Sequence, residues 1–265
     1  MKKLSKRRPR RFFSESVLTQ TGEQIILSAG EATHLCKVLQ LEPGDVVLLT
    51  DPLGREAEAV IEGYRPDGKA ALKVMELGAV PQINRVVVRL FAAMAKGGVT
   101  DELVEKASEL GIDEFHPMIT EHTEVRTVGE KSQRQLERWY KIARTAAKQS
   151  GGRKELVLFE PKMLKQVVGD ASKGMHVFLD PYEEDAMNLK TWLESMELLV
   201  REQGHLEMNL YFGPEGGFSR QELQAARKAF TETGAACQFV HLGDRILRLD
   251  TAVVSVLAAV KLILT

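Results

Sequence analysis

Cysteine is scarce: the 265 residues hold two, Cys36 and Cys237, far apart and in no CxxC or histidine-rich setting. That spacing argues against a disulfide framework or a zinc site, and both thiols read as small buried hydrophobes. Long apolar runs are also missing. The longest, residues 252–264, is interrupted by Lys261 and falls short of the roughly 20 residues a membrane span needs. The basic N-terminal segment runs into Phe12-Phe13-Ser14-Glu15 instead of the continuous apolar stretch of a signal peptide. A soluble, cytoplasmic protein with a reduced interior, no membrane and no metal is the expectation. Phosphate-cradling patterns are absent as well: no GxxxxGK followed by Ser or Thr occurs, and no GxGxxG follows a strand-like run. ATP, GTP and NAD chemistry therefore fall back. No Ser-His-Asp set or metal-binding histidine spacing appears, since His34, His116, His176, His205 and His241 are scattered.

Charge of one sign is missing locally rather than globally. Net charge is −1, which by itself disfavours a nucleic-acid binder. Yet residues 1–11 carry Lys2, Lys3, Lys6, Arg7, Arg8, Arg10 and Arg11 with no acid, and residues 131–154 carry eight bases against Glu137 alone. A neutral total with segregated charge suits a protein with one basic face. The periodicity of residues 132–149 predicts a helix. At about 100° per residue, Arg134, Arg138, Lys141, Arg144 and Lys148 share about a third of its circumference. Leu136, Trp139, Ile142, Ala143 and Ala146 take the opposite side. Contact with RNA phosphates is favoured over a solvated face, because the stripe carries no acid.

Two styles of sequence meet near Pro81. Before it come short β-rich runs (24–27, 45–50, 56–62 and 69–77), separated by turns at Pro43-Gly44, 52–54 and 66–68 and interrupted by a helix over 29–40. Such spacing suits a small β-barrel. After it, strands are predicted at 85–94, 115–119, 176–179, 208–212 and 238–242. Helices are predicted at 99–110, 132–149, 185–202 and 220–233, with one more at the C-terminus. Alternation of this kind predicts an α/β domain with a mostly parallel sheet covered on both faces. The expected division is residues 1–80 and 81–265.

Ligands of such sheets bind at the C-terminal ends of the strands, and two loops there have unusual composition. Gly213-Pro214-Glu215-Gly216-Gly217-Phe218 follows the strand at 208–212, and Ser219 with Glu222 forms a capping box for the next helix. A tight turn needs one glycine; three beside a strand end let backbone approach a ligand closely. The second loop, 242–252, holds Gly243, then Arg245 and Arg248 around Ile246-Leu247, and Asp250 or Thr251 to cap the terminal helix.

These residues resemble a known family. Gly213-Pro214-Glu215-Gly216-Gly217-Phe218-Ser219, with Leu242-Gly243, Ile246-Leu247-Arg248 and Thr251-Ala252, is similar to the RsmE family of 16S ribosomal RNA uridine-N3 methyltransferases of the SPOUT superfamily. Arg10-Arg11-Phe12-Phe13, His34-Leu35 with Val38-Leu39, and the helix end Lys106–Gly111 extend the likeness over nearly the whole chain. It implies an N-terminal PUA-like β-barrel domain and a C-terminal SPOUT α/β trefoil-knot domain. S-adenosylmethionine would be held by Leu179, Phe212, Gly213, Pro214, Glu215, Gly216, Gly217, Leu242, Gly243, Ile246, Leu247, Arg248, Thr251 and Ala252. The active site would lie in a homodimer interface.

The implied reaction methylates N3 of a uridine in 16S rRNA of the small ribosomal subunit. Arg248 and Arg153 are candidates to stabilise negative charge on the uracil, with Arg126 weaker; Glu215 would act as base or organise its loop. Arg7, Arg8, Arg10, Arg11, Arg126, Arg134, Arg138 and Lys141 would grip RNA. The sequence departs from the family at Leu249-Asp250 (Thr-Glu expected), at His122 (Arg expected), at Lys148 (Glu expected), and at Gly97-Gly98 and Gly151-Gly152. Two alternatives stay open: an RNA-binding or assembly factor without catalysis, and an enzyme of the same fold acting on another RNA nucleotide.

Overall fold

The computed structural model describes residues 10–79, 85–124, 130–170 and 173–265. They form two compact units, one of Met1–Ile83 with Ala147–Glu155 and one of Asn84–Ala146 with Leu156–Thr265. The residues about Pro81, where the sequence changes style, lie outside the described set.

The first unit is built on β1 (Arg11–Phe13), β2 (Gln24–Leu27), β3 (Val46–Thr50), β4 (Glu56–Tyr64) and β5 (Ala70–Leu77). The sheet order is β1-β3-β4-β5-β2; β1 runs parallel to β3 and every other pair is antiparallel. Its two outer strands are not bonded to each other, so the expected barrel is a mixed half-barrel. Alternating residues of β3, β4 and β5 (Val47, Leu49, Ala57, Ala59, Ile61, Leu72 and Val74) point into one core with Phe12 and Leu35. The helix expected over 29–40 is shorter: α1 (Ala29–Thr33) passes into a π-helical turn over His34–Val38, and Gln40 takes a left-handed φ of 51°. Lys148, on the expected RNA stripe, instead bonds Glu31 at 2.7 Å and sits 5.3 Å from the ring centre of Phe12.

The second unit contains β6 (Val86–Ala93), α2 (Val99–Glu109), β7 (Glu114–Ile119), α3 (Glu130–Ser150, whose last turn belongs to the first unit), β8 (Val157–Leu158), β9 (Lys162–Met163), α4 (Leu164–Gly169), β10 (Met175–Leu179) and β11 (Met187–Asn188). It continues with α5 (Leu189–Gln203), β12 (Leu206–Phe212), α6 (Arg220–Thr233), β13 (Cys237–His241) and α7 (Leu249–Leu264). The sheet runs β11-β13-β10-β12-β6-β7-β8, with β9 also on β7, and all its pairs are parallel. Residues 156–169, left without structure by the sequence pattern, supply two two-residue strands and a short helix, too brief for any periodicity to register.

Both faces of this sheet are covered, as near-continuous apolar strands require. Val86, Val88, Leu90, Leu206, Met208 and Leu210 face one core, which Trp139, Trp192, Val253 and Leu257 complete from the helices. On the other face, under α4 and α6, one ring from each successive strand joins a stack. Centroids of Phe159, His116, Phe91, Tyr211 and Phe178 follow one another at 4.0, 4.3, 4.6 and 4.4 Å, and Phe239 adds a further step of 5.5 Å. Parallel register puts these rings opposite one another, so the residues following them also lie level: Leu179 opposite both Phe212 and Val240. Because side chains alternate along a strand, that next rung points to the opposite face, at the strand ends.

Strand β13 is inserted between β10 and β11, although β10 and β11 are neighbours in sequence. The connection 180–186 therefore has to pass the end of β13. Sheets normally avoid such crossings. No helix among the described residues is long and apolar enough to cross a membrane.

Candidate functional site

Three connections leave the level strand ends of β10, β12 and β13 and line an open cleft. Leu179, Phe212, Val240, Leu242, Leu247, Leu249 and Ala252 give it apolar walls. Asp180, Tyr182, Glu215, His241 and Arg245 supply the polar groups.

The glycine loop is fixed at both ends. The Pro214 carbonyl accepts from the Gly217 amide at 2.8 Å, closing a turn in which Gly217 has φ of 69°. A Cβ at Gly213 would come within 3.2 Å of the Gly217 backbone and the Phe218 ring, so any side chain there would have to push these neighbours back by a few tenths of an ångström. Beyond the loop, Ser219 accepts from the Glu222 amide while Glu222 accepts from the Ser219 amide, the capping box read from sequence. Glu222 also accepts from the Glu121 amide at 2.8 Å, and His122 Nδ1 donates to the Gly217 carbonyl at 3.1 Å. His122 thus stands against the glycine loop as a brace. The sequence marks His122 only as a departure from the family's arginine; its contact with the glycine loop depends on tertiary packing.

The connection 180–186 is held by Arg227 of α6, which donates to Asp185 at 2.6 and 2.9 Å and to Glu183 at 2.6 Å. Its guanidinium lies 3.8 Å from the Phe239 ring centre, closing the aromatic stack. These carboxylates raise its pKa further above the ordinary guanidinium value. Asp180 is 2 % exposed, and its carboxylate accepts from the Tyr182 amide at 2.8 Å. Burial, with Glu183 nearby, pushes the Asp180 carboxyl above its usual range. Burial likewise pushes the Cys237 thiol up to about 11, keeping it protonated and inert.

Of the residues expected to hold a ligand, Leu179, Phe212, Gly213, Pro214, Glu215, Gly217, Leu242, Ile246, Leu247 and Ala252 line the cleft. Gly216 faces His122 instead, and Gly243 borders a shallower groove beside the cleft. Arg248 is the residue before α7, its side chain 74 % exposed and 3.6 Å from Asp250; Thr251 is exposed in the first turn of α7. The N-cap position falls on Arg248 with no side-chain cap, so the expected cap by Asp250 or Thr251 is not made; the Asp250 carboxylate accepts from the Thr251 amide instead. Sequence reasoning missed Asp180, Tyr182 and His241, because only the sheet order brings residues 180–182 beside the other two loops.

Arg153 belongs to the first unit, where it lies 3.5 Å from Glu56. Arg11 is committed there to Thr50 and Glu56, both at 2.6 Å, with 10 % of its side chain exposed, so its guanidinium faces inward. Arg10 is exposed and donates to the Leu39 carbonyl. On α3, Arg134, Arg138 and Lys141 are exposed, and Arg138 pairs with Asp101. Arg7, Arg8 and Arg126 lie outside the described residues. Among the described residues there is no cluster of three or more side chains suited to hold a metal.

An RNA methyltransferase domain family matches residues 82–261, and an RNA methyltransferase PUA domain family matches residues 27–72. Ribosomal RNA small subunit methyltransferase E of a Synechocystis species is 32 % identical over 91 % of this chain and 76 % of its own length. The protein of the same name from Mycobacterium bovis is 29 % identical over 94 % of this chain and 90 % of its own. A crystal structure of the Neisseria gonorrhoeae protein of that name, bound to S-adenosylmethionine, matches at a TM-score of 0.78 and 24 % identity, covering 96 % of this chain and 97 % of that one. At that identity the structural match speaks for the fold alone.

Proposed function

This chain belongs to the RNA methyltransferase family of the ribosomal RNA small subunit methyltransferase E type, and we propose that it methylates N3 of a uridine in 16S ribosomal RNA, with S-adenosylmethionine as donor. The observation that carries the reading is the cleft where the three connections meet. Its features fit the donor: apolar walls for an adenine, a glycine loop whose amides are close at hand, and the Asp180 and Glu215 carboxyls for a cationic ligand. When bound, S-adenosylmethionine supplies a methyl group on a positively charged sulfur, open to in-line attack. The chain's own residues do the rest.

Leu179, Phe212, Leu242 and Leu247 orient the donor and exclude water, and alignment of this kind contributes about 7–11 kcal/mol. The uridine N3 must lose its proton as it attacks. Arg248, on the connection that forms the cleft wall, stabilises the charge developing on the uracil carbonyls. Arg153 is the second candidate for that role, and Glu215 acts as base or holds its loop. Residues 1–80, with Ala147–Glu155 in the same unit, serve as a PUA-like RNA grip, and the remainder of 81–265 forms the methyltransferase domain with the knotted crossing. Arg7, Arg8, Arg10, Arg126, Arg134, Arg138 and Lys141 meet RNA phosphates; Arg11, turned inward, supports the sheet. The protein works in the cytoplasm as a homodimer, a reading supported by Tyr182 and Ile246, each about two-thirds exposed at the cleft mouth.

The test is mass spectrometry of nucleosides from 16S rRNA of cells lacking the protein. Loss of one N3-methyluridine, restored by the wild-type chain, is expected; an unchanged nucleoside profile overturns the assignment.

A further inference from the structure

Asp180 stands out among the polar residues of the cleft. It is a carboxylate, 2 % exposed, on the connection that the sheet order forces past the end of β13. The carboxylate accepts from the Tyr182 amide at 2.8 Å and also from the Glu183 amide, which fixes the group's orientation without neutralising it. A buried carboxylate is costly unless a positive charge meets it. The charged or titratable side chains that line the cleft with it are Tyr182 and Glu215, both unable to supply a cation, and His241 and Arg245 from the connection after β13. Arg245 is exposed, and His241 Nδ1 accepts from the Gly243 amide at 3.2 Å. The Glu183 side chain, three residues on, adds negative charge and is itself held by Arg227. The strongest cation beside this connection, Arg227, is thus committed to Glu183 and Asp185.

We propose that Asp180 is a specificity-determining residue of the cleft, whose carboxylate favours the cationic sulfonium donor over the neutral thioether that remains after methyl transfer. The inference rests on the reading of the cleft as a donor site. The two ligands share adenosine and amino-acid parts and differ by one methyl group and one positive charge at sulfur. Apolar walls and backbone amides hold them almost equally. A fixed carboxylate, itself only 2 % exposed, separates them, because Coulombic attraction strengthens as the local dielectric falls. The outcome is exchange of spent product for fresh donor. The raised pKa of Asp180 agrees with this geometry, since the same poorly solvated setting that resists a lone negative charge welcomes a paired one.

The experiment is titration calorimetry of the full chain with S-adenosylmethionine and, separately, S-adenosylhomocysteine, for wild type and Asp180→Asn. Asparagine removes the charge and keeps one acceptor oxygen for the backbone amides, its NH2 taking the place of the second carboxylate oxygen. Wild type is expected to prefer the sulfonium compound. In D180N that preference falls about tenfold, with the affinity for the thioether unchanged. Equal losses for both ligands, or an unaltered ratio, overturn the proposal, and circular dichroism of the variant shows whether the fold is kept. Should wild type bind neither compound, the donor-site reading fails and takes this inference with it; binding of both with no charge effect spares the site and removes only the role of Asp180.

Discussion

At the level of single residues, burial separates two charged groups of the connections around the cleft, Asp180 and Arg248. Asp180 carries no sequence signal, yet it is buried in the cleft with its carboxyl pushed up in pKa. The sign of its effect on stability follows. With the folded pKa above the unfolded one, the unfolded chain loses its proton first as pH rises, so ionisation of Asp180 costs stability at neutral pH. Asp180→Asn is expected to raise the unfolding temperature at pH 7. The gain should shrink as pH falls through the raised pKa and vanish below the ordinary aspartate value of 3.8. Thermal melts of both proteins across pH check this; a gain of equal size at low pH would assign it to packing. Arg248 poses the opposite case. Being 74 % exposed, it contributes little to folding, and its removal should change stability by no more than about 0.5 kcal/mol. Methyl transfer in Arg248→Ala should fall by about 10²–10³ if it stabilises the developing charge. A single-turnover rate near wild type would remove it from the mechanism.

At the scale of elements, helix α6 organises the cleft from two directions. Its N-terminus finishes the glycine loop, and Arg227, two turns later, pins the connection 180–186 while capping the aromatic stack. About a third of the Arg227 side chain is exposed, so its ion pairs contribute at most about 1 kcal/mol and its stacking on the ring about 0.5–1 kcal/mol. Arg227→Ala is expected to lower stability by about 1–2 kcal/mol in denaturant melts and to weaken donor binding several-fold. Arg227→Lys should recover the charge but not the forked geometry, and so only part of the affinity. Binding equal to wild type in Arg227→Ala would show that the connection holds its place unaided. Helix α3 was legible as a helix because its apolar residues recur at helical spacing, and Trp139 and Ala143 are indeed buried. The fate of its bases was not legible. Lys148 is taken by Glu31 and Arg138 by Asp101, whereas Arg134 and Lys141 remain exposed. Replacing Arg134, Arg138 and Lys141 by alanine should flatten the salt dependence of binding to 16S rRNA, the log–log slope falling by up to about one for each phosphate no longer paired. An unchanged slope would return the stripe to plain solvated surface.

At the scale of the whole molecule, a ligand that binds only the folded form stabilises it by mass action. S-adenosylmethionine at about one hundred times its Kd adds about 2.7 kcal/mol, enough to raise a melting temperature by roughly 5–10 °C in a chain of this size. A melting curve indifferent to the donor would argue against the cleft as its site. The sequence by itself determined the longer elements and their order, though not β1, β8, β9, α4 or β11: period-2 runs ended by Gly and Pro turns, then alternating strands and helices, with a capping box at Ser219 and three glycines at one strand end. Those are local properties, set by backbone sterics and the placing of apolar side chains within a few residues. Only tertiary structure decided which strand ends lie together. The insertion of β13 between β10 and β11 brings Asp180 beside loops that are about 35 and 60 residues away in sequence. No short-range pattern encodes that crossing. It follows from burying both faces of one parallel sheet, a condition that every strand must satisfy at once.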